Sequence, residues 1–244
     1  MKMTRKNTWP ILLMLATAWA LNACTPTGDA TIIYFDEQEG SGEPYRTRTI
    51  VTPAYVRLDD DDDKSDFVLY DRKQRVIYST NSLDKRTLVI KWKDHGLSLP
   101  KKFKNRDEKL KETVPSISGS EVSHYRLYTN DSMCYDIYAA EGLLPEVVEA
   151  LDEFQQTLAT EHAAFLQVAS LQATSPCDQV NNVYRPARYL KYGFPVHARD
   201  YLGRSRQLAD FKTGQAVSPE LFELPTEYRQ FTTEEIRASG LSGQ

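Results

Sequence analysis

The sequence predicts an α+β fold, mainly antiparallel β, with one long helix packed across the sheet. Short runs rich in Ile, Val, Thr and Tyr are separated by polar breaks, the signature of a strand meander. One stretch alone repeats apolar residues at helical spacing. A hydrophobic content of 41% with 14 tyrosines suits strands that are wet on one face.

Strand-type runs cover 31–35, then 46–58 with a break at Pro53, then 67–70, 75–78 and 87–92. Two of these runs flank the charged segment Asp71 to Gln74, which reads as the turn of a β-hairpin. Residues 101–112 are strongly charged with little apolar face, and read as an exposed loop or frayed helix. Two further strands, 122–128 and 134–138, precede the long helix.

Gly142 and Pro145 mark the start of that helix. Val147, Leu151, Phe154, Leu158, His162, Phe165 and Ala169 then follow at alternating three- and four-residue steps. From 145 to 170 it would run roughly 39 Å. A helix with one apolar stripe has to bury it, and the sheet is the only large surface available. Strands resume at 189–197 and 206–212, a closing segment is expected around 221–224, and residues 232–244 read as a loose tail. The domain so delimited is 31–231.

The N-terminus has the charged-then-apolar order of an export signal: Lys2, Arg5 and Lys6, then an apolar run at 11–21. That run is short for a membrane span. It ends in Leu21-Asn22-Ala23-Cys24, which resembles the lipobox of bacterial lipoproteins, with the polar Asn22 as its departure from the usual pattern. The resemblance implies removal of residues 1–23, acylation of Cys24 with palmitate-type chains, and a short tether over 24–30. One chain holds a membrane marginally and two hold it firmly, so a multiply acylated Cys24 would be a lasting anchor. Thr25 stands where an Asp commonly retains such proteins in the inner membrane, so the implied destination is the periplasmic face of the outer membrane.

The net charge of −4 becomes more negative still when Lys2, Arg5 and Lys6 leave, which gives no electrostatic case for nucleic acid. The other two cysteines, Cys134 and Cys177, form an even pair in an oxidising compartment and read as a disulfide.

The hairpin at 66–78, the strand Gly193-Phe194-Pro195-Val196 and the ending Leu221-Phe222-Glu223-Leu224-Pro225-Thr226-Glu227-Tyr228 resemble phrases of the outer-membrane lipoprotein-carrier (LolA/LolB-like) superfamily and related uncharacterised periplasmic families. The resemblance implies a strongly curved sheet, an unclosed barrel, whose concave side is covered by helix and takes acyl chains. Here the helix lies mid-chain instead of near the start, and no residue carries transport activity across by motif.

The acid run Asp59 to Asp63 lacks the alternation and the Gly of a calcium loop and reads as solvated. His95, His124, His162 and His197 stand too far apart in sequence for a metal motif. Ser41 lies in Gly-Ser-Gly without the strand-to-helix setting of a hydrolase elbow. No metal, cofactor or catalytic residue is expected, and the chain reads as non-catalytic. The leading expectation is a lipid or lipoprotein acyl chain held between sheet and helix, against Phe154, Leu158, Phe165, Tyr70, Tyr78 and Tyr138. The alternative is a structural or protein-interaction lipoprotein with a filled core and no ligand.

Overall fold

The computed structural model describes residues 28–60, 65–168 and 174–238. The expected signal segment, Cys24, most of the tether, Asp61 to Lys64, Ala169, Ser170 and the last six residues of the chain lie outside them.

Nine strands come first: β1 (Ala30–Gln38), β2 (Tyr45–Val51), β3 (Tyr55–Asp60), β4 (Phe67–Asp71), β5 (Val76–Asn81), β6 (Arg86–Lys91), β7 (Asn105–Lys109), β8 (Val122–Thr129) and β9 (Ser132–Ala140). The long helix α1 (Pro145–Val168) and the short α2 (Pro176–Gln179) follow. The chain closes with β10 (Phe194–Asp200), β11 (Ser205–Gln215), β12 (Arg229–Thr232) and α3 (Thr233–Ala238). All the strands form one curved, unclosed sheet in the order β12-β6-β5-β4-β3-β2-β1-β11-β10-β9-β8-β7. Neighbours are antiparallel except β12, which runs parallel to β6.

Local chemistry explains the breaks. Pro53 cannot donate to a ladder, and it sits in the β2–β3 turn, where the Thr52 hydroxyl accepts from the Tyr55 N–H at 2.9 Å. In the β4–β5 turn the Asp71 carboxylate accepts from the backbone and side-chain amides of Gln74 at 2.7 and 2.8 Å. At Gly193 (φ 114°) the backbone passes so close to β9 that a Cβ would stand 2.3 Å from the Ala140 carbonyl, so only glycine fits.

The β1–β2, β3–β4, β5–β6, β8–β9 and β10–β11 turns all lie at one end of the sheet, as the registers Glu37↔Tyr45, Asn81↔Arg86, Thr129↔Ser132 and Gln38↔Ser205 require. The chain enters the sheet at the opposite end, where Ala30 faces Gln215.

The N-terminal half of α1 packs as expected: Val147, Ala150, Leu151 and Phe154 are buried against Ile33, Phe35, Val56, Tyr70, Ile77 and Phe194. Its second half differs. There Ala163 and Leu166, on the other side of the helix, are buried against Val183, Leu97 and Tyr184. Phe165, in phase with Val147 at 3.6 residues per turn, is therefore left 55% exposed.

Cys134 at the start of β9 is disulfide-bonded to Cys177 in α2, 43 residues on. Five expectations need correcting. The strand expected over 189–197 begins only at Phe194, after a 3₁₀ turn at Leu190–Tyr192. Residues 105–109, expected to be a loop or frayed helix, form edge strand β7, whose Asn-Arg-Asp-Glu-Lys sequence keeps a free sheet edge charged. The segment around 221–224 is not a strand but follows a 3₁₀ turn, Pro219–Phe222, with Phe222 stacked on Tyr55 at 5.2 Å. The closing strand is β12, beyond it. The supposed tail begins as β12 and α3, fixed by Lys93–Glu234 at 2.7 Å and by the Thr233 hydroxyl donating to Glu161 at 2.6 Å. Asp59, expected in a solvated loop, is instead buried in β3 between Arg48 and Arg57.

Among the described residues no helix is long and apolar enough to cross a membrane.

Candidate functional site

A pocket of about 360 Å³ opens between the middle of α1 and strands β1, β9, β10 and β11. Alternation along the strands brings Phe35, Tyr135, Ala198 and Arg206 to this face. The helix contributes Leu151, Leu158 and His162, and the turn before β10 contributes Tyr189. The pocket lies at the turn-bearing end of the sheet, beside Glu37, Asp200 and Arg204.

Four of its charges pair on the spot. Arg204 Nε donates to Asp200 at 2.6 Å, and Arg206 reaches Glu37 at 2.8 Å while lying over the Phe35 ring at 4.8 Å. Burial pushes the phenols of Tyr135 and Tyr189 up and the His162 imidazole down, so all three are held neutral. The Tyr135 and Tyr189 rings meet at 5.2 Å. Apolar side chains (Phe35, Leu151 and Leu158) and polar or charged ones (Glu37, Gln155, His162, Asp200, Arg204 and Arg206) thus share its walls.

Of the residues expected to contact a ligand, Leu158 lines this pocket. Tyr70 and Phe154 belong to the filled core: their rings meet edge-on at 5.9 Å, and the Tyr70 hydroxyl accepts from Thr157 at 3.2 Å. Tyr78 stands half-buried in β5 and does not line the pocket. Phe165 lies one helical turn past His162, is exposed and does not line the pocket. Tyr138 is on the opposite face of the sheet, stacked on His124 at 4.2 Å. The sequence did not point to Tyr135, Tyr189, Arg204 and Arg206 as a group, because only the pairing of β9, β10 and β11 assembles them.

That opposite face holds a second polar group. His124, 4% exposed, meets Glu112 through Nδ1 and Asp136 through Nε2, the latter at 2.5 Å. Arg126 Nε donates to the other Asp136 oxygen at 3.0 Å, and His197 approaches Tyr138 edge-on at 5.9 Å. Carboxylate oxygens of Glu112 and Asp136 approach both ring nitrogens of His124. The set reads as a clamp joining β8, β9 and the segment that carries Glu112.

Burial pushes the Asp136 carboxyl up, but hydrogen bonds from His124 and Arg126 outweigh it and hold it below the usual carboxylate range. A depressed folded-state value stabilises the protein above the unfolded value of about 4, and that stability is lost as pH falls through the folded value. Urea unfolding between pH 7 and 3 is therefore expected to show a steeper acid loss in the parent chain than in Asp136→Asn. Identical slopes would remove the clamp from the account.

No protein-family model matches the sequence, and neither does any curated protein. Among solved structures the chain is similar to an uncharacterized conserved protein from Thermus thermophilus, with TM-score 0.43 and 8% identity over 84% of this chain and 91% of that one. It is similar to PNGF-II, with TM-score 0.44 and 9% identity over 88% of this chain and 33% of that one. It is also similar to a chain of the Pseudomonas aeruginosa MucA/MucB complex, with TM-score 0.36 and 10% identity over 84% and 58%. The chain thus spans about a third of PNGF-II and under two thirds of the chain from that complex. None of these likenesses bears on what the chain does.

Among the described residues, no three His, Cys, Asp or Glu side chains converge as a metal site would.

Proposed function

We propose that the protein is a non-catalytic lipoprotein of the bacterial envelope, anchored through Cys24, that holds the apolar chain of a lipid or acylated molecule between α1 and the β9–β11 part of the sheet. The observation that carries this reading is the pocket beneath Leu151 and Leu158, with its neutral aromatic wall and its paired charges at the mouth. The core around Tyr70 and Phe154 is filled, so the reading rests on the pocket lined by Leu151, Leu158 and His162.

Organic extraction and native mass spectrometry of the full chain, purified in a neutral detergent, test the reading. Stoichiometric lipid is expected with the parent protein. Ala198→Trp, which fills the pocket from β10, is expected to lose it while keeping the far-UV circular dichroism of the parent. A folded Ala198→Trp variant that retains its lipid, or a parent chain that neither carries nor takes up lipid, would transfer the weight to a structural or protein-interaction role.

A further inference from the structure

A second concavity, of about 450 Å³, lies at the other side of the sheet, where β7 begins and the β8–β9 turn reverses the chain. Lys102, Lys104 and Arg106 face it together with the single carboxylate of Asp131. They come from the run Lys101-Lys102-Phe103-Lys104-Asn105-Arg106, and this run is held rather than free. Phe103 is buried and tilted against Tyr184 at 5.8 Å. Lys104 N–H donates to the Asn130 side chain at 2.8 Å, while the Asn130 N–H donates back to the Lys104 carbonyl at 2.9 Å. The Arg106 guanidinium lies over the Tyr128 ring at 3.9 Å and engages Glu108 through Nη1 at 3.1 Å.

Behind the concavity stands a further cation. Arg188 Nη1 donates to Asn105 Oδ1 at 3.1 Å, and its Nε and Nη2 are buried without a hydrogen-bond partner, as is the Asn105 amide nitrogen. Buried donors are ordinarily satisfied, and a guanidinium cannot shed its charge to escape the cost. This corner of the molecule therefore carries more positive charge and more donors than its own carboxylates balance. The backbone around it is fixed before anything binds, which lowers the ordering cost of binding.

We infer that the concavity formed by Lys102, Lys104, Arg106, Asn105 and Asn130 binds a multiply charged oxyanion of the phosphate type. Lys102, Lys104 and Arg106 outnumber the carboxylates of Asp131 and Glu108 by one, an excess that favours an anion, and lysines serve phosphate as point charges with freely rotating donors. The site is separate from the pocket under α1 and does not depend on it.

Calorimetric titration of the full chain in neutral detergent at low ionic strength, where screening is weakest, tests the assignment. Inorganic pyrophosphate and glycerol 3-phosphate are the probes. Saturable binding is expected with one equivalent per chain. Lys102→Glu/Lys104→Glu is expected to weaken it by about tenfold or more. Lys73→Glu/Lys91→Glu, with the same change in net charge at exposed positions on the β4–β5 turn and on β6, is expected to leave it intact. Tighter binding of glycerol 3-phosphate would assign the site to a lipid headgroup, and tighter binding of pyrophosphate to a soluble phosphate compound. Absence of saturable binding by either probe, or an equal loss in the control variant, overturns the proposal.

Discussion

Replacing Cys134 and Cys177 together by alanine is expected to cost about 4 kcal/mol of stability, the chain-entropy value for a closed loop of 43 residues. For a domain of this size that corresponds to a fall in Tm of roughly 8–16 °C. The loop contains most of β9, all of α1 and the start of α2. The bridge therefore brings the far side of the helix back to the strand that supplies Tyr135 to the pocket. Without it the unfolded chain gains freedom and α1 loses the covalent return of its C-terminal connection. Both sulfurs are buried, so the parent protein is also expected to resist reductant until it unfolds. Thermal melts of the parent and the double variant measure the effect. A difference below about 1 kcal/mol would show that packing of α1 on the sheet suffices without the bridge.

Asp59→Ala is expected to be as damaging, at about 3–5 kcal/mol, because it leaves buried charge uncompensated. The Asp59 side chain is 1% exposed. Its two oxygens take Arg48 Nε and Nη2 at 2.9 and 2.8 Å and Arg57 Nε at 2.6 Å. Arg57 in turn lies over Phe67 at 3.8 Å and donates to the Leu221 carbonyl at 2.6 Å. One carboxylate thus joins β2, β3 and the 3₁₀ turn that begins the closing segment. Its neighbour Asp60 is exposed, and Asp60→Ala is expected to change stability by no more than about 0.5 kcal/mol. Equal effects of the two substitutions in urea unfolding would refute the distinction.

The same pair of aspartates marks where the sequence stops being legible. A run of acids reads as solvent-exposed, and only the register that sets Arg48 opposite Asp59 reveals that one member faces inward with two cations. The strands at 31–35, 67–70, 75–78 and 122–128 were legible because β-branched and aromatic residues dominate them. Strand β7 was not, because an edge strand guarded by charge has the composition of a loop. The helix was legible in place and spacing. What covers each part of its stripe depends on elements far along the chain, so Phe154 went into the core, Leu158 into the pocket and Phe165 to the surface. The pocket itself has no local signal, since its aromatic and arginine walls come from residues spread between Phe35 and Arg206.

The arrangement of the turns fixes which way the molecule would face on a membrane. Cys24 precedes Gly28 by four residues, a reach of about 14 Å at full extension, and the chain joins the sheet at the end away from the turns. If Cys24 is acylated, the bilayer is held close to that end, and the nine residues of β1, roughly 30 Å of strand, separate it from the turn-bearing rim. The mouth beside Glu37, Asp200 and Arg204 would then open away from the leaflet that holds the protein. On the proposed reading, a lipid would then arrive from the side away from the anchoring membrane and would not be drawn straight out of it.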